Sequence, residues 1–191
     1  ISQTIIYIVI LIMSIVVHEV AHGYVADRLG DKTARYAGRL TLNPLPHIDF
    51  FGSIVVPAVL ILSQSGFLIG WAKPVPFNPH NTSNPKKSGA IIALAGPAVN
   101  ISIAIIFSIF LRLMPYVAPA TEMTSDIASV FITIVITNLV LAIFNLVPIP
   151  PLDGHHVLYA ILPDRFNTLK YYLSKYSLVL LMAFILFGWE Y

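Results

Sequence analysis

The chain has 191 residues, of which 57% are hydrophobic and only 10% are charged. Soluble domains carry about 25% charged residues, so this composition, with a mean hydropathy of +0.82, predicts an integral membrane protein. The net charge is only +2 and no basic stripe is present, which argues against nucleic acid as a partner. The absence of cysteine excludes disulfides and thiolate metal ligands.

The first predicted span, Ile5 to Leu29, contains an H-E-x-x-H motif. Helical residues four apart share one face, so His18 and His22 can reach one metal ion with Glu19 beside them. Ionisable groups within lipid cost about 2.5 kcal/mol or more each, which argues against a chance occurrence of the motif here. A catalytic zinc ion takes three protein ligands and keeps a fourth position for water. The motif therefore predicts a third ligand elsewhere in the chain.

Two stretches, Tyr36 to Asn43 and Gly70 to Asn78, consist of short alternating pieces bounded by glycine and proline. This pattern predicts short β-strands at the membrane rim. Pro74 and Pro76 restrict the second stretch to an edge strand or a loop, because proline cannot donate to a strand ladder.

The apolar stretch from Phe51 to Trp71 is interrupted by Pro57 and by a polar cluster at residues 63–66, so it can either span the membrane or dip and return. Short cytoplasmic loops carry an excess of lysine and arginine. Basic clusters follow the first span and precede the second and the last. If the three clusters share the cytoplasmic side, Phe51 to Trp71 crosses an even number of times, most simply as a re-entrant hairpin.

Three further segments are long enough to cross a bilayer, which takes about 20 predominantly apolar residues; they are Gly89 to Leu113, Ile127 to Val147 and Leu173 to Trp189. The second span carries Asn100 and the third carries Asn138. Such amides either line a cavity or form hydrogen bonds between helices. The predicted fold is an all-α polytopic membrane protein, with about four full transmembrane helices, a re-entrant or additional apolar segment and short rim strands. Residues 1–191 are predicted to form a single membrane-embedded domain.

The segment from Asn145 to Gly154 contains three prolines and cannot continue the third helix. Irregular backbone at membrane depth must be buried in protein or line a water-filled cavity. Asp153 is the candidate third ligand, since a carboxylate completes a set of two histidines and one acid. The alternative for this residue is a turn formed with Gly154. His155 and His156 follow directly and are open to either a ligand or a supporting role.

Together these motifs resemble the site-2 protease family of intramembrane zinc metalloproteases. The resemblance rests on the H-E-x-x-H motif, on Ala95-Gly96-Pro97 with Asn100, on the stretch from Gly70 to Pro76 and on the segment ending in Leu152-Asp153-Gly154. It implies one zinc ion per chain bound by His18, His22 and Asp153, with Glu19 as general base and Asn145 positioning or stabilising the reacting carbonyl. It also implies substrate binding by a further set of residues, namely Trp71, Ala72, Lys73, Pro74, Val75 and Asn100.

The resemblance implies an intramembrane zinc endopeptidase that cuts transmembrane segments of other proteins in regulated intramembrane proteolysis. The expected setting is a prokaryotic cell membrane with the active site toward the cytoplasm. The expected partners are a transmembrane-protein substrate and the lipid bilayer, and the oligomeric state is left open. The alternatives are a membrane metal transporter and an inactive client-binding relative. The candidate ligands lie at one level rather than along a path through the membrane, which argues against transport. The presence of Glu19 argues against an inactive relative.

Overall fold

The computed structural model describes residues 2–63, 70–117, 119 and 121–187. These residues form eight α-helices, which in chain order are α1 Ser2–Arg28, α2 Thr33–Tyr36, α3 Val56–Leu62, α4 Pro85–Val117, α5 Glu122–Leu146, α6 Gly154–Ile161, α7 Asn167–Lys175 and α8 Ser177–Phe187. Short 3-10 turns occupy Leu45–His47, Pro79–Asn81 and Asp164–Phe166, and a π-helical turn occupies Phe50–Val55.

Helices α1, α4 and α5 pack against one another as a three-helix bundle. Within the described part of the chain, these three helices are long and apolar enough to cross a membrane. Large apolar side chains such as Ile105, Ile109 and Phe110 are exposed on the outside of the bundle, as expected of helices that face lipid. The structure thus confirms an all-α protein with membrane-spanning character.

The predicted fourth span, Leu173 to Trp189, is not one helix. The chain breaks at Tyr176, between α7 and α8, and Trp189 lies outside the described residues. The 11 described residues of α8 rise only about 16 Å, roughly half of a bilayer's hydrocarbon thickness. Lys175 ends α7 within the first residues of the predicted span, and a charged side chain is costly in the lipid interior.

The predicted rim strands are also wrong, since residues 36–43 and 70–78 contain no strand in the structure. Tyr36 ends α2, and the second segment bonds to the rest of the chain through isolated contacts. One of these is from Lys73 N–H to the carbonyl of His47, at 2.9 Å. Pro74 and Pro76 have no N–H to continue a ladder, so regular pairing stops there.

The apolar segment from Phe51 to Trp71 begins and ends at the same place. Trp71 N–H donates to the Gly52 carbonyl at 3.1 Å, and the Ser53 hydroxyl donates to the Trp71 carbonyl at 2.8 Å. A Cβ at position 52 would lie 2.3 Å from the Trp71 ring, so this close approach requires glycine. A path that leaves Gly52 and comes back to it is what the re-entrant prediction requires; residues 64–69 lie outside the described part.

A buried carboxylate ties the end of α1 to the loop before α4. Asp31 is fully buried and accepts hydrogen bonds from the Asn78 N–H at 2.5 Å, the Asn81 side-chain amide at 2.8 Å and the Thr33 N–H at 3.1 Å. Burial raises the pKa of Asp31, but the hydrogen bonds from Thr33, Asn78 and Asn81 outweigh burial and hold that pKa below its usual value.

Replacing Asp31 by alanine is expected to lower the free energy of unfolding by about 1–3 kcal/mol, because Thr33, Asn78 and Asn81 lose hydrogen bonds to a buried, charged acceptor. The folded pKa lies below the ordinary value of about 3.9. The stabilisation is therefore complete above that pH and is lost as the pH falls through the folded pKa. Thermal unfolding in detergent at several pH values measures the effect. Asp164→Ala, which removes an exposed carboxylate 3.4 Å from Lys86 Nζ, is the control and should change stability by about 0–1 kcal/mol.

Candidate metal centre

Three predicted ligands meet at one point between α1 and the start of α6. The Nε2 atoms of His18 and His22 lie 3.0 Å and 3.2 Å from Oδ2 of Asp153. One potential ligand atom from each residue falls within 4.8 Å of the others. Two ligands bound tetrahedrally at about 2.0–2.1 Å from zinc are about 3.3 Å apart. The two distances to Asp153 therefore match the spacing of zinc ligands, and the three residues could hold a zinc ion with a fourth position left for water.

The segment between α5 and α6 brings Asp153 to the histidines although His18 and Asp153 are 135 residues apart in sequence. Helix α5 ends at Leu146, directly before the proline-rich run. A Cβ at Gly154 would lie 2.2 Å from the Leu146 carbonyl oxygen. Only glycine therefore allows α6 to begin against the end of α5, and this packing sets the position of Asp153.

Gly96 on α4 leaves space for the two imidazoles. A Cβ at this position would lie 2.5 Å from Nε2 of both His18 and His22. Real Cβ atoms do not approach other atoms so closely. The backbone of α4 thus forms one wall of the cluster, and any side chain at position 96 would fill the space beside the metal-binding nitrogens.

The second ring nitrogens of the histidines differ in their surroundings. His22 Nδ1 lies 2.7 Å from the Ile92 carbonyl, which can only accept, so Nδ1 carries the proton and Nε2 is free for a metal. His18 Nδ1 is buried without a hydrogen-bond partner among the described residues. Oδ2 of Asp153 faces the Nε2 atoms of both histidines, and a carboxylate must be ionised to bind a metal.

The carboxylate of Glu19 accepts a hydrogen bond from the backbone of the segment that follows the apolar stretch from Phe51 to Trp71. The Val75 N–H donates to Glu19 Oε2 at 2.8 Å. Val75 is buried at 3% exposure beside Gly23, where an added Cβ would lie 2.7 Å from Val75 Cγ1. Arg39 donates to the Lys73 carbonyl at 2.7 Å. The sequence predicted that this segment lies near the site but missed its bond to Glu19, because no local pattern marks a contact between residues 56 apart.

The model of peptidase family M50 matches residues 6–126 and 112–187. The chain belongs to peptidase family M50. This confirms the resemblance to the site-2 protease family, and with it membership of a family of metalloproteases.

Known relatives agree with this assignment. The chain is 37% identical over 182 residues to YwhC of Bacillus subtilis, named as a candidate zinc metalloprotease, with 93% of this chain and 78% of the relative covered. It is 35% identical to Rip2 of Mycolicibacterium smegmatis, named in the same way, over 77% of this chain and 53% of the relative. A zinc metalloprotease of Methanocaldococcus jannaschii, MJ0392, is 26% identical over 85% of this chain and 36% of the relative. No solved structure matches the chain.

The structure does not join the other predicted site residues to the cluster of ligands. The Asn145 side-chain amide donates to the Leu141 carbonyl of its own helix at 2.9 Å. Asn100 is fully buried within the bundle. Trp71, Lys73 and Pro74 are exposed and Ala72 is half-buried. The roles of all these residues stay predictions.

The two histidines after Asp153 lie outside the candidate metal-binding group, which among the described residues consists of His18, His22 and Asp153. The ring of His155 packs 3.9 Å from that of His156 and lies 2.6 Å, through Nδ1, from the Leu152 carbonyl. His156 also contacts Phe77, with the ring centres 5.8 Å apart. Burial and the neighbouring His155 lower the pKa of His156 to about 4. At neutral pH His156 is therefore an uncharged side chain beside the site.

Proposed function

We propose that the chain is an intramembrane zinc endopeptidase that hydrolyses peptide bonds within or near transmembrane segments of other membrane proteins. The observation that carries the proposal is the group formed by His18, His22 and Asp153, with Glu19 next to it. Two of these ligands and the acid lie on α1, which is apolar and long enough to cross a membrane. Family membership and the names of the relatives support zinc and protease chemistry.

His18, His22 and Asp153 would hold one zinc ion per chain. Zinc in such a site lowers the pKa of a water molecule and polarises a carbonyl group. Glu19 is the general base, which takes a proton from the attacking water and passes it to the leaving amine. The Val75 N–H binds Oε2 of Glu19, so Oε1 is assigned to the proton transfer.

The segment from Trp71 to Val75 is the proposed binding surface for the substrate backbone. A peptide bond within a helix hides its carbonyl in the helix's own hydrogen bonds, so the substrate must unwind before attack. The segment supports this role because its last residue contacts Glu19 while Trp71 and Lys73 remain exposed. An unwound substrate segment lying along it would come close to the base.

The proposed orientation places the site toward the cytoplasm of a prokaryotic cell. Arg28, Lys32 and Arg35 cluster at the end of α1 that lies nearest the metal-binding group, and such clusters favour the cytoplasmic side. The bacterial and archaeal relatives support a prokaryotic membrane. The proposed partners are a transmembrane substrate protein and the bilayer.

Metal removal tests the proposal directly. Purified protein in detergent is expected to cleave a model transmembrane substrate, to lose this activity with a chelator and to regain it with zinc. Asp153→Ala is expected to weaken zinc binding by more than about 100-fold, the upper limit for loss of a residue that only orients a ligand. Zinc content and cleavage products are measured together. Asp164→Ala, at an exposed carboxylate, is the control and should keep both.

Two results would contradict this assignment. Cleavage that persists without zinc would exclude a metal-dependent mechanism. Zinc flux across vesicles, with no cleavage of the substrate, would favour the transporter that the sequence left as an alternative.

A further inference from the structure

Three polar residues, one from each long helix, lie buried one helical turn beyond the metal-binding group. Ser14 precedes His18 by four residues on α1, and Asn100 follows Gly96 by four residues on α4. Asn138 on α5 donates through Nδ2 to Ser14 Oγ at 3.0 Å. Asn100 and Asn138 have no exposed surface, and Ser14 is 6% exposed. Such residues are unusual inside an apolar bundle and call for a physical reason.

The register of α1 and α4 places Ser14 and Asn100 at the same depth. His22 bonds to the Ile92 carbonyl, and the space at Gly96 is bounded by His18 and His22. Residue numbers therefore rise along α1 as they fall along α4, and the two helices run antiparallel. A step of four residues is about one turn and keeps the same face. That step leads from His18 to Ser14 on one helix and from Gly96 to Asn100 on the other.

Several polar atoms at this depth lack a partner. Oδ1 and Nδ2 of Asn100, Oδ1 of Asn138 and Nδ1 of His18 are all buried without a hydrogen bond in the part of the chain that the structure describes. Buried polar atoms in proteins are nearly always bonded, either to protein or to ordered water. A group of two to four such atoms is what a buried water molecule needs.

We propose that Ser14, Asn100 and Asn138 form a buried water-binding site that supplies the hydrogen-bond acceptor for the Nδ1–H of His18. The proposal deepens the proposed function and rests on the zinc site described above. A histidine that binds metal through Nε2 must carry its proton on Nδ1 and usually donates it to an acceptor. His22 donates to the Ile92 carbonyl, and the water site provides the equivalent for His18. Asn100 and Asn138 are therefore positioning residues that act through His18.

Zinc affinity tests the proposal without reference to proteolysis. Asn100→Leu keeps a similar volume but removes both polar atoms, and it is expected to weaken zinc binding by about 10–100-fold. Asn100→Ser keeps an acceptor and should retain most of the affinity. Thr137→Val is the control, because Thr137 is buried next to Asn138 in sequence but lines a groove with Tyr7 and Leu11. It should bind zinc like the wild type. Chelator competition in detergent measures all four proteins.

Unchanged zinc affinity in folded Asn100→Leu would overturn the proposal. Equal losses in Asn100→Leu and Asn100→Ser would also overturn it, since they would indicate a role in packing alone. If Asn100→Leu does not fold, a high-resolution map of the wild-type protein decides instead. Ordered water within hydrogen-bonding distance of His18 Nδ1 and Asn100 is expected, and a dry site would refute the proposal. A wild-type protein that binds no zinc would refute the proposed function, while the map would still test the water site.

Discussion

Glu19→Gln is expected to bind zinc like the wild type and to cleave a transmembrane substrate about 10²–10⁴-fold more slowly. Glutamine keeps an oxygen that can accept the Val75 N–H, which lies 2.8 Å from the carboxylate in the structure. The variant therefore keeps the contact with the proposed substrate-binding segment but cannot take up a proton. Because the metal-binding group consists of His18, His22 and Asp153, zinc content should not change.

The matched control for this variant is Glu122→Gln, which makes the same chemical change in the first turn of α5. It should cleave at the wild-type rate. Single-turnover cleavage and zinc content, measured on the same preparations, separate a chemical defect from a binding defect. Equal rates for Glu19→Gln and wild type would remove Glu19 from the mechanism. Loss of zinc together with activity would make Glu19 a structural residue of the metal site.

Sequence alone was sufficient to propose the three residues that meet in the structure. Helical periodicity placed His18 and His22 on one face, and the prolines before Asp153 indicated irregular backbone at membrane depth. The sequence could not give the distance between groups 135 residues apart. It also could not show that Gly96 forms the wall beside both imidazoles, because a glycine in an apolar helix is equally common at an ordinary helix contact.

The fold was predicted less completely than the site. The spans that became α1, α4 and α5 were found because continuous apolar sequence of that length is typical of membrane-spanning helices. The prediction of a fourth span from Leu173 to Trp189 was wrong because the first residues of this range belong to a polar, tyrosine-rich helix. That helix ends at Lys175, directly before Tyr176. The prediction of rim strands was wrong because an alternating pattern over a few residues does not provide a strand to pair with. Pairing depends on the neighbouring chain, which local sequence does not specify.

Gly96→Ala is expected to lower cleavage by about 100-fold or more, since misplacement of reacting groups by about 1 Å has an effect of this size. The added Cβ would lie 2.5 Å from Nε2 of both histidines, so at least one imidazole must move. Zinc affinity should fall with activity. The same substitution favours the helix by about 1 kcal/mol where space allows. Because the space at position 96 is occupied by the imidazoles, thermal unfolding is measured to separate a displaced imidazole from a destabilised α4.

Gly89→Ala provides the matched control on the same helix. A Cβ at Gly89 would meet only Pro79, at the ordinary contact distances of 3.7 Å and 3.9 Å, so this variant should keep zinc binding and activity. Zinc titration and thermal unfolding of the two variants test the argument together. Weak zinc binding by a stably folded Gly96→Ala protein would place the metal against α4. Full zinc binding by that protein would mean that the imidazoles can bind the metal without the space that Gly96 leaves, and it would contradict the expected effect of this substitution.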